Sequence, residues 1–299
     1  MNKRRWAAVL IAAGLFVVSL VSASLTKPQE NDQIEGLNSW LYGDEELAPN
    51  VLEEGDSTQK IVKLSVDGTI AAGGSSGLFA SEGYNHKNFM EQLKAIEEDP
   101  TVKGIFLEVN SPGGGVYESA EIAKKLDTIR KEHDIPMYVS MKNMAASGGY
   151  YISAQADKIF ATEETVTGSI GVIMSGLNYS GLLEKLGVED TTVKSGALKD
   201  MGSGTRPETK EEEAVLQAYI DSAYSRFVAI VSEGRNKSEE EVKKIADGRI
   251  YDGVQAKEVG LVDELGFPED ALKAIRKEQQ LEDAELVEYS STPSGFAST

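Results

Sequence analysis

The strongest constraint on the fold is a regular alternation of apolar runs and amphipathic stretches after residue 60. Val102–Val109 and Met137–Lys142 are short and mostly apolar, which is typical of buried strands. Val116–Arg130, which lies between them, carries apolar residues at helical spacing. A strand, a helix and a second strand in this order predict an α/β fold with a largely parallel sheet.

The same criteria predict the remaining elements, and glycine- and serine-rich segments interrupt them. Further strands are predicted at 61–70, at 158–161 and near 169–174. Further helices are predicted at 84–98, 148–156, 207–234, 239–245 and 269–277. The interrupting segments are 73–77, 110–115, 144–149 and 165–171. No sequence repeat relates the strand-helix units, so the chain carries a single copy of whatever site it holds.

The N-terminus carries a long uncharged run. Trp6–Leu25 has 20 residues without a charge, and as a helix it would span about 30 Å of hydrocarbon. The basic residues 3–5 precede it, which predicts a cytoplasmic N-terminus with the remaining chain outside. A cleaved secretory signal ending at Val21-Ser22-Ala23 stays an alternative, but the run is longer than a signal core and favours a retained anchor.

Composition changes divide the chain into four parts. Residues 1–26 are predicted to be a cytoplasmic tip and transmembrane anchor, and 27–59, polar and acidic, a stalk. Residues 60–280 are predicted to be the main folded domain. Residues 281–299 fade into Ser, Thr, Pro and Gly, which predicts a mobile tail.

Composition also excludes several chemistries. The chain has no cysteine, so it has no thiol nucleophile, disulfide, cysteine-ligated zinc or iron–sulfur cluster. Thirty Lys and Arg stand against 49 Asp and Glu, and this formal charge of −19 argues against non-specific nucleic-acid binding. The two histidines, His86 and His133, lie in a polar loop and at a helix end, and neither is a persuasive catalytic base.

Two glycine-rich segments could support nucleophilic catalysis. The segment NSPGGG at 110–115 follows a strand and opens a helix, where free backbone amides suit a developing negative charge on oxygen. Glu118 stands where a dinucleotide-binding fingerprint needs its third glycine, so that function is not predicted. Ser147 lies in MAASGGYY among small neighbours, which would leave its hydroxyl accessible. The simpler alternatives are a tight turn at 110–115 and an ordinary helix cap at Ser147.

A nucleophilic serine needs a base. Lys199 differs from most lysines of the chain because it lies in SGALKD, a loop of low charge after a β-branched run. A lysine base must be neutral, which burial in an apolar setting favours. A surface lysine in a loop is the simpler alternative.

Four segments together resemble one family. NSPGG from Asn110, MAASGGYY from Met144, TGSIGV from Thr167 and SGALKD from Ser195 look like the four signatures of the bacterial signal peptide peptidase A family, also called protease IV. They occur in the family's order, and the resemblance covers about residues 60–275. It implies a crotonase-like, Clp-protease-like α/β fold and a Ser/Lys dyad serine endopeptidase.

The resemblance also implies a role for each site residue. Ser147 matches the nucleophile and Lys199 the general base, while Ser169 matches the serine that orients the lysine. Backbone amides of Gly114 and Gly148 match the oxyanion hole. No metal and no organic cofactor is expected.

Substrates and partners follow from the family and from the predicted anchor. We expect the enzyme to hydrolyse remnant signal peptides and other unfolded extracytoplasmic polypeptides, at the cell membrane, held by residues 6–25. The resemblance implies a homo-oligomeric ring, for which we expect an octamer. The Ser/Lys dyad could form within one chain or between subunits. The alternatives are a crotonase-type acyl-CoA enzyme and a non-enzymatic membrane scaffold that binds peptides.

Overall fold

The computed structural model describes residues 46–72 and 83–292. Residues 49–289 form one compact unit. Residues 46–48 and 290–292 are assigned to a second unit and belong to two strands. The predicted anchor, most of the predicted stalk and residues 293–299 lie outside the described residues. No helix within 46–72 and 83–292 is both long and apolar enough to cross a membrane.

One sheet of nine strands organises the described residues. Its main path runs β1-β9-β2-β3-β4-β5-β8, while β6 pairs with β4 and with β7. Parallel pairing joins β9, β2, β3, β4, β5 and β8 in turn, and β6 is parallel to β4 but antiparallel to β7. The strands are β1 Glu46–Glu53, β2 Asp56–Asp67, β3 Val102–Ser111, β4 Met137–Ala146, β5 Lys158–Ala161, β6 Val166–Gly168, β7 Ile250–Tyr251, β8 Glu264–Leu265 and β9 Ala284–Thr292.

Helices connect the parallel strands, and polar caps begin several of them. Asn85 accepts a hydrogen bond from the Asn88 amide (3.0 Å), and Thr209 and Ser238 each form a capping box with a glutamate three residues on. The helices are α1 His86–Glu98, α2 Val116–Glu132, α3 Gly148–Ser153, α4 Ser180–Leu186, α5 Lys210–Gly234, α6 Glu239–Ile245, α7 Gly253–Glu258 and α8 Pro268–Glu278.

The core lies around the central strands. Phe106 of β3 and Tyr138 of β4 pack with Ile275 of α8, in a cluster that also holds Phe160 and Leu286. Because successive side chains of a strand alternate between the faces of a sheet, the neighbours of Phe106 are buried on the opposite face. The central strands are therefore buried on both faces, as their continuous apolar runs predict.

The α/β prediction is confirmed, but the strand predicted near 169–174 does not form. The nearest strand, β6, covers Val166–Gly168 and ends before that range. Gly168 and Ser169 have φ values of +80° and +49°, which no regular strand accommodates. The chain therefore turns at Gly168 and Ser169, and the apolar residues that follow do not continue the strand.

The limits of the folded domain also differ from the prediction. The predicted tail contains β9, which pairs in parallel with β2 and buries Leu286 and Val287. The predicted stalk contains β1 and the first residues of β2. In β1 and β9 no apolar run is longer than two residues, so the sequence does not reveal them as buried strands.

Candidate active site

Ser147 occupies a sharp turn between β4 and α3. Its backbone has φ +52° and ψ −118°, a conformation that L residues rarely adopt. Its N–H donates to the Gly168 carbonyl oxygen (2.9 Å), which ties the turn to the end of β6. Strained residues of this kind persist where their surroundings hold them, and they concentrate at functional sites. A strained serine between a strand and a helix is also the geometry in which a nucleophilic hydroxyl stays exposed.

The turn after β3 lies directly against Ser147. Gly113 has φ +94°, and a Cβ there would come within 2.9 Å of the Ser147 Cβ. A Cβ on Gly114 would overlap the Ile70 carbonyl oxygen, which accepts a hydrogen bond from the Gly115 N–H (2.8 Å). Only glycine allows the chain to approach this closely at these positions.

The close approach brings the Gly114 and Gly148 amides to one place. An ideal Cβ on Gly148 would lie 3.1 Å from the Gly114 nitrogen. Gly148 is the first residue of α3, where backbone amides have no partner within the helix. Within the described residues, no backbone hydrogen bond outside the regular elements has either amide as its donor. Two free amides beside a serine hydroxyl can stabilise negative charge on a carbonyl oxygen.

A pocket opens beside Ser147. Gly114 and Gly148 line it together with apolar side chains from α2, α5 and the segment after β6, among them Val116, Val172 and Phe227. Tyr151, one turn along α3 from Ser147, also lines it and packs against Phe227, with ring centroids 4.8 Å apart. Burial raises the pKa of Tyr151, so its hydroxyl stays protonated near neutral pH.

Ser169 follows Gly168, whose carbonyl oxygen accepts the hydrogen bond from the Ser147 N–H. Its own N–H donates to the Arg249 carbonyl oxygen (2.7 Å), and its φ is positive, as at Ser147. The structure therefore places Ser147, Ser169, Gly114 and Gly148 in one neighbourhood.

Lys199 lies elsewhere on the chain. It is exposed, in a turn where its N–H donates to the Gly196 carbonyl oxygen (3.2 Å), and it does not line the pocket at Ser147. The two histidines do not line that pocket either. His86 is buried between the Tyr84 hydroxyl (2.5 Å) and the Glu121 carboxylate (2.8 Å), and His133 ends α2.

The segment that carries Lys199 exposes apolar side chains. Ile173, Leu177 and Val193 are 88%, 87% and 97% exposed, and α4 adds Leu182 and Leu186 to the same segment. Large apolar residues concentrated in one exposed segment are typical of a surface that another protein covers.

Ion pairs tie the turn of Lys199 to helix α5. The Arg206 guanidinium donates through Nε to Asp200 (2.8 Å) and through Nη1 to Glu212 (2.9 Å). Glu212 also accepts from the Thr209 N–H (2.9 Å), which closes the capping box of α5. Asp200, the neighbour of Lys199, is thereby held against the first turn of that helix.

The buried carboxylate of Glu212 predicts an acid-sensitive contribution to stability. The Arg206 guanidinium, and after it the Thr209 N–H, lower the pKa of Glu212 from 4.5 to about 2. A depressed pKa stabilises the fold above the unfolded-state value, and this contribution is lost as the pH falls from about 4.5 toward 2. We expect Glu212→Gln, which can keep the capping box, to lower the unfolding midpoint at pH 7 and to differ less from wild type near pH 3.

Urea unfolding at several pH values measures this difference. Glu211→Gln, at an exposed position of the same helical turn, is the matched control and should follow wild type at each pH. A deficit of Glu212→Gln that stays constant from neutral to acidic pH would contradict the assignment.

The described residues contain no group of three or more His, Asp or Glu side chains arranged to hold a metal ion.

The sequence analysis did not identify Tyr151 and Phe227 as pocket residues. For Tyr151 a signal existed, because it stands four residues after Ser147 and so on the same helical face. Phe227 carried no comparable signal, since its place in the pocket depends on how α5 packs.

Two models of known protein families match the chain. The model of peptidase family S49 matches residues 129–282, which include Ser147, Ser169 and Lys199, and the Clp protease model matches residues 80–167. The Clp protease match shows a Clp-protease-like domain within the α/β fold.

Three relatives illustrate the similarity. A protein of Enterococcus faecium, provisionally named signal peptide peptidase SppA, is 59% identical over 100% of this chain and 88% of its own length. A provisionally assigned protease of Methanocaldococcus jannaschii is 38% identical over 94% of this chain and 85% of its own. Protease 4 of Haemophilus influenzae is 36% identical over 81% of this chain and 38% of its own. The chain belongs to peptidase family S49 and is a serine protease of the SppA and protease 4 group.

Proposed function

We propose that the chain is a membrane-anchored endopeptidase that uses Ser147 as nucleophile and Lys199 as general base. One observation carries the proposal: the strained Ser147 turn lies against the free amides of Gly114 and Gly148 at the mouth of an apolar pocket. A hydroxyl, two amide donors and a pocket for a side chain are what acyl transfer from a peptide requires.

The proposed reaction has two halves. The Ser147 Oγ attacks the carbonyl carbon of the peptide bond while the neutral Lys199 amine takes its proton. The carbonyl oxygen becomes an oxyanion that the Gly114 and Gly148 amides stabilise. Collapse expels the amine, which receives the proton from Lys199, and leaves an ester on Ser147. Water, deprotonated by Lys199, then hydrolyses that ester. Ser169 would orient the lysine by a hydrogen bond.

We infer that Lys199 reaches Ser147 of a neighbouring subunit. Within one chain Lys199 is exposed and outside the pocket, and its segment exposes Ile173, Leu177 and Val193. A second copy that covers this segment would bury both the apolar side chains and the amine. Burial favours the neutral form of an amine, which is the form that acts as a base. Repetition of such a head-to-tail contact closes a ring, for which we propose an octamer.

The proposed substrates are remnant signal peptides and other unfolded polypeptides outside the cytoplasm. The E. faecium relative, which is 59% identical, carries the name of a signal peptide peptidase. The uncharged residues 6–25 after three basic residues support a membrane anchor that leaves the domain on the outer side. Neither alternative from the sequence, an acyl-CoA enzyme or a non-enzymatic scaffold, has a comparable supporting observation, because the family of this chain is one of peptidases.

Covalent labelling tests the nucleophile. The full-length protein in detergent is treated with a fluorophosphonate, which phosphonylates activated serine hydroxyls with loss of fluoride. The modified peptide is identified by mass spectrometry. We expect the adduct on Ser147 and no adduct in Ser147→Ala. Ser65→Ala, at an exposed serine of β2, is the control and should label like wild type. An adduct on another serine that persists in Ser147→Ala would contradict the proposal.

A further inference from the structure

One buried hydroxyl next to the Ser147 turn has no partner. Ser119 of α2 is 2% exposed, and its Oγ makes no hydrogen bond with the residues that the structure describes. Its backbone N–H is satisfied by the Gly115 carbonyl oxygen (3.1 Å). Buried polar atoms are almost always paired, and an unpaired one is destabilising. This hydroxyl is therefore suited to a partner that binds in the pocket.

Ser119 lines the pocket, and its hydroxyl lies against the Ser147 turn. Ser119 lines the pocket together with Ser147 and Gly148. A Cβ on Gly148 would overlap the Ser119 Oγ, so the glycine leaves the space that the hydroxyl occupies. Ala120 and Phe227 form apolar parts of the wall, while Tyr151 and Arg226 bring polar groups to other parts of it. A buried hydroxyl that has no partner of its own distinguishes ligands by their hydrogen bonding as well as by their size.

The geometry of acyl transfer indicates which part of the substrate lies near Ser119. When the carbonyl carbon is bound at the Ser147 Oγ and its oxygen faces the Gly114 and Gly148 amides, the side chain next to that carbonyl is one carbon away. In this arrangement we place that side chain in the pocket beside Gly148, close to Ser119.

We propose that Ser119 is a specificity-determining residue whose hydroxyl hydrogen-bonds a short hydroxyl-bearing side chain, such as serine, on the residue that supplies the scissile carbonyl. The inference rests on the proposed function, since it takes Ser147 as the nucleophile. A buried hydroxyl that is paired only with the correct substrate penalises a substrate that cannot pair with it. Serine should therefore be preferred there over 2-aminobutyrate, in which a methyl group replaces the hydroxyl.

The test compares two peptide anilides that differ only at that residue, serine or 2-aminobutyrate, with the full-length enzyme in detergent. We expect wild type to have a kcat/KM about threefold to tenfold higher for the serine peptide. In Ser119→Ala this ratio should fall to about one. Ser119→Cys, which nearly keeps the volume and has only a weak donor, should lower the ratio as well and serves if the alanine variant does not fold.

Controls separate the possible failures. Thr128→Ala removes a hydroxyl from the same helix about 13 Å further along and should keep the wild-type ratio. If Ser147→Ala still hydrolyses the peptides, the proposed function fails. If Ser147→Ala is inactive but the wild-type ratio is about one, or is unchanged in Ser119→Ala and Ser119→Cys, the inference about Ser119 alone is overturned.

Discussion

Replacing Ser147 with alanine should lower kcat for peptide hydrolysis by about three to six orders of magnitude. The substitution removes the nucleophilic oxygen and leaves the Cβ, so the strain of the positive φ is the same in both proteins. Residual turnover would come from the amides of Gly114 and Gly148 and from substrate binding. Initial rates on a peptide anilide measure the loss, and circular dichroism checks that the variant is folded.

A serine on the same short helix provides the control for this loss. Ser153 of α3 donates its hydroxyl to the Gly149 carbonyl oxygen (2.7 Å) and lies outside the pocket. Ser153→Ala should keep kcat within about threefold of wild type, because one hydrogen bond within a helix contributes little. A Ser147→Ala protein that retains a tenth of wild-type kcat would rule out Ser147 as the nucleophile.

Mixed assemblies should regain activity that neither parent variant has. Ser147→Ala and Lys199→Ala are each expected to be nearly inactive. If every site takes its serine from one subunit and its lysine from the next, random equal mixing restores both groups in about a quarter of the sites. The two variants are co-expressed with different affinity tags, and mixed assemblies are purified through both tags. We expect these assemblies to have about a quarter of the wild-type kcat per site.

The control for the mixing experiment replaces the Lys199→Ala chain with a chain that carries both substitutions. Ser147→Ala co-expressed with a chain that carries both substitutions has no complementary pair and should stay inactive. Mixed assemblies of the two single variants that are as inactive as this control would show that the dyad forms within one chain.

Much of the fold could be predicted because its central strands are buried on both faces. Val102–Ser111 is recognisable as a strand from its continuous apolar run, and α2 from the helical spacing of its apolar residues. Strand β9 is not recognisable, because Glu285 and Glu288 limit its longest apolar run to two residues and a stretch rich in serine and threonine follows. Its place in the sheet depends on pairing with β2, more than 200 residues away in sequence.

Some residues of the candidate site could likewise be predicted from the sequence, and others could not. The glycines at 113, 114 and 148 are visible in the sequence, and the structure adds the reason for them, which is the close approach of two turns. Tyr151 is a pocket residue that local helical spacing could have indicated. Phe227 could not be predicted, because it joins the pocket only through the packing of α5 against α3.

The amino-acid sequence by itself determined the alternation of strands and helices and the chemical groups at the site, since periodicity and residue type are local properties. It also determined that neither a thiol nor a cysteine-ligated metal takes part. The tertiary structure decided which of these groups meet. It brings the Ser147 turn, the Gly114 amide and the Ser119 hydroxyl to one pocket, because parallel strands end at the same edge of the sheet. It leaves Lys199 exposed and outside that pocket, because most residues of its segment are exposed and pack against few residues of their own chain.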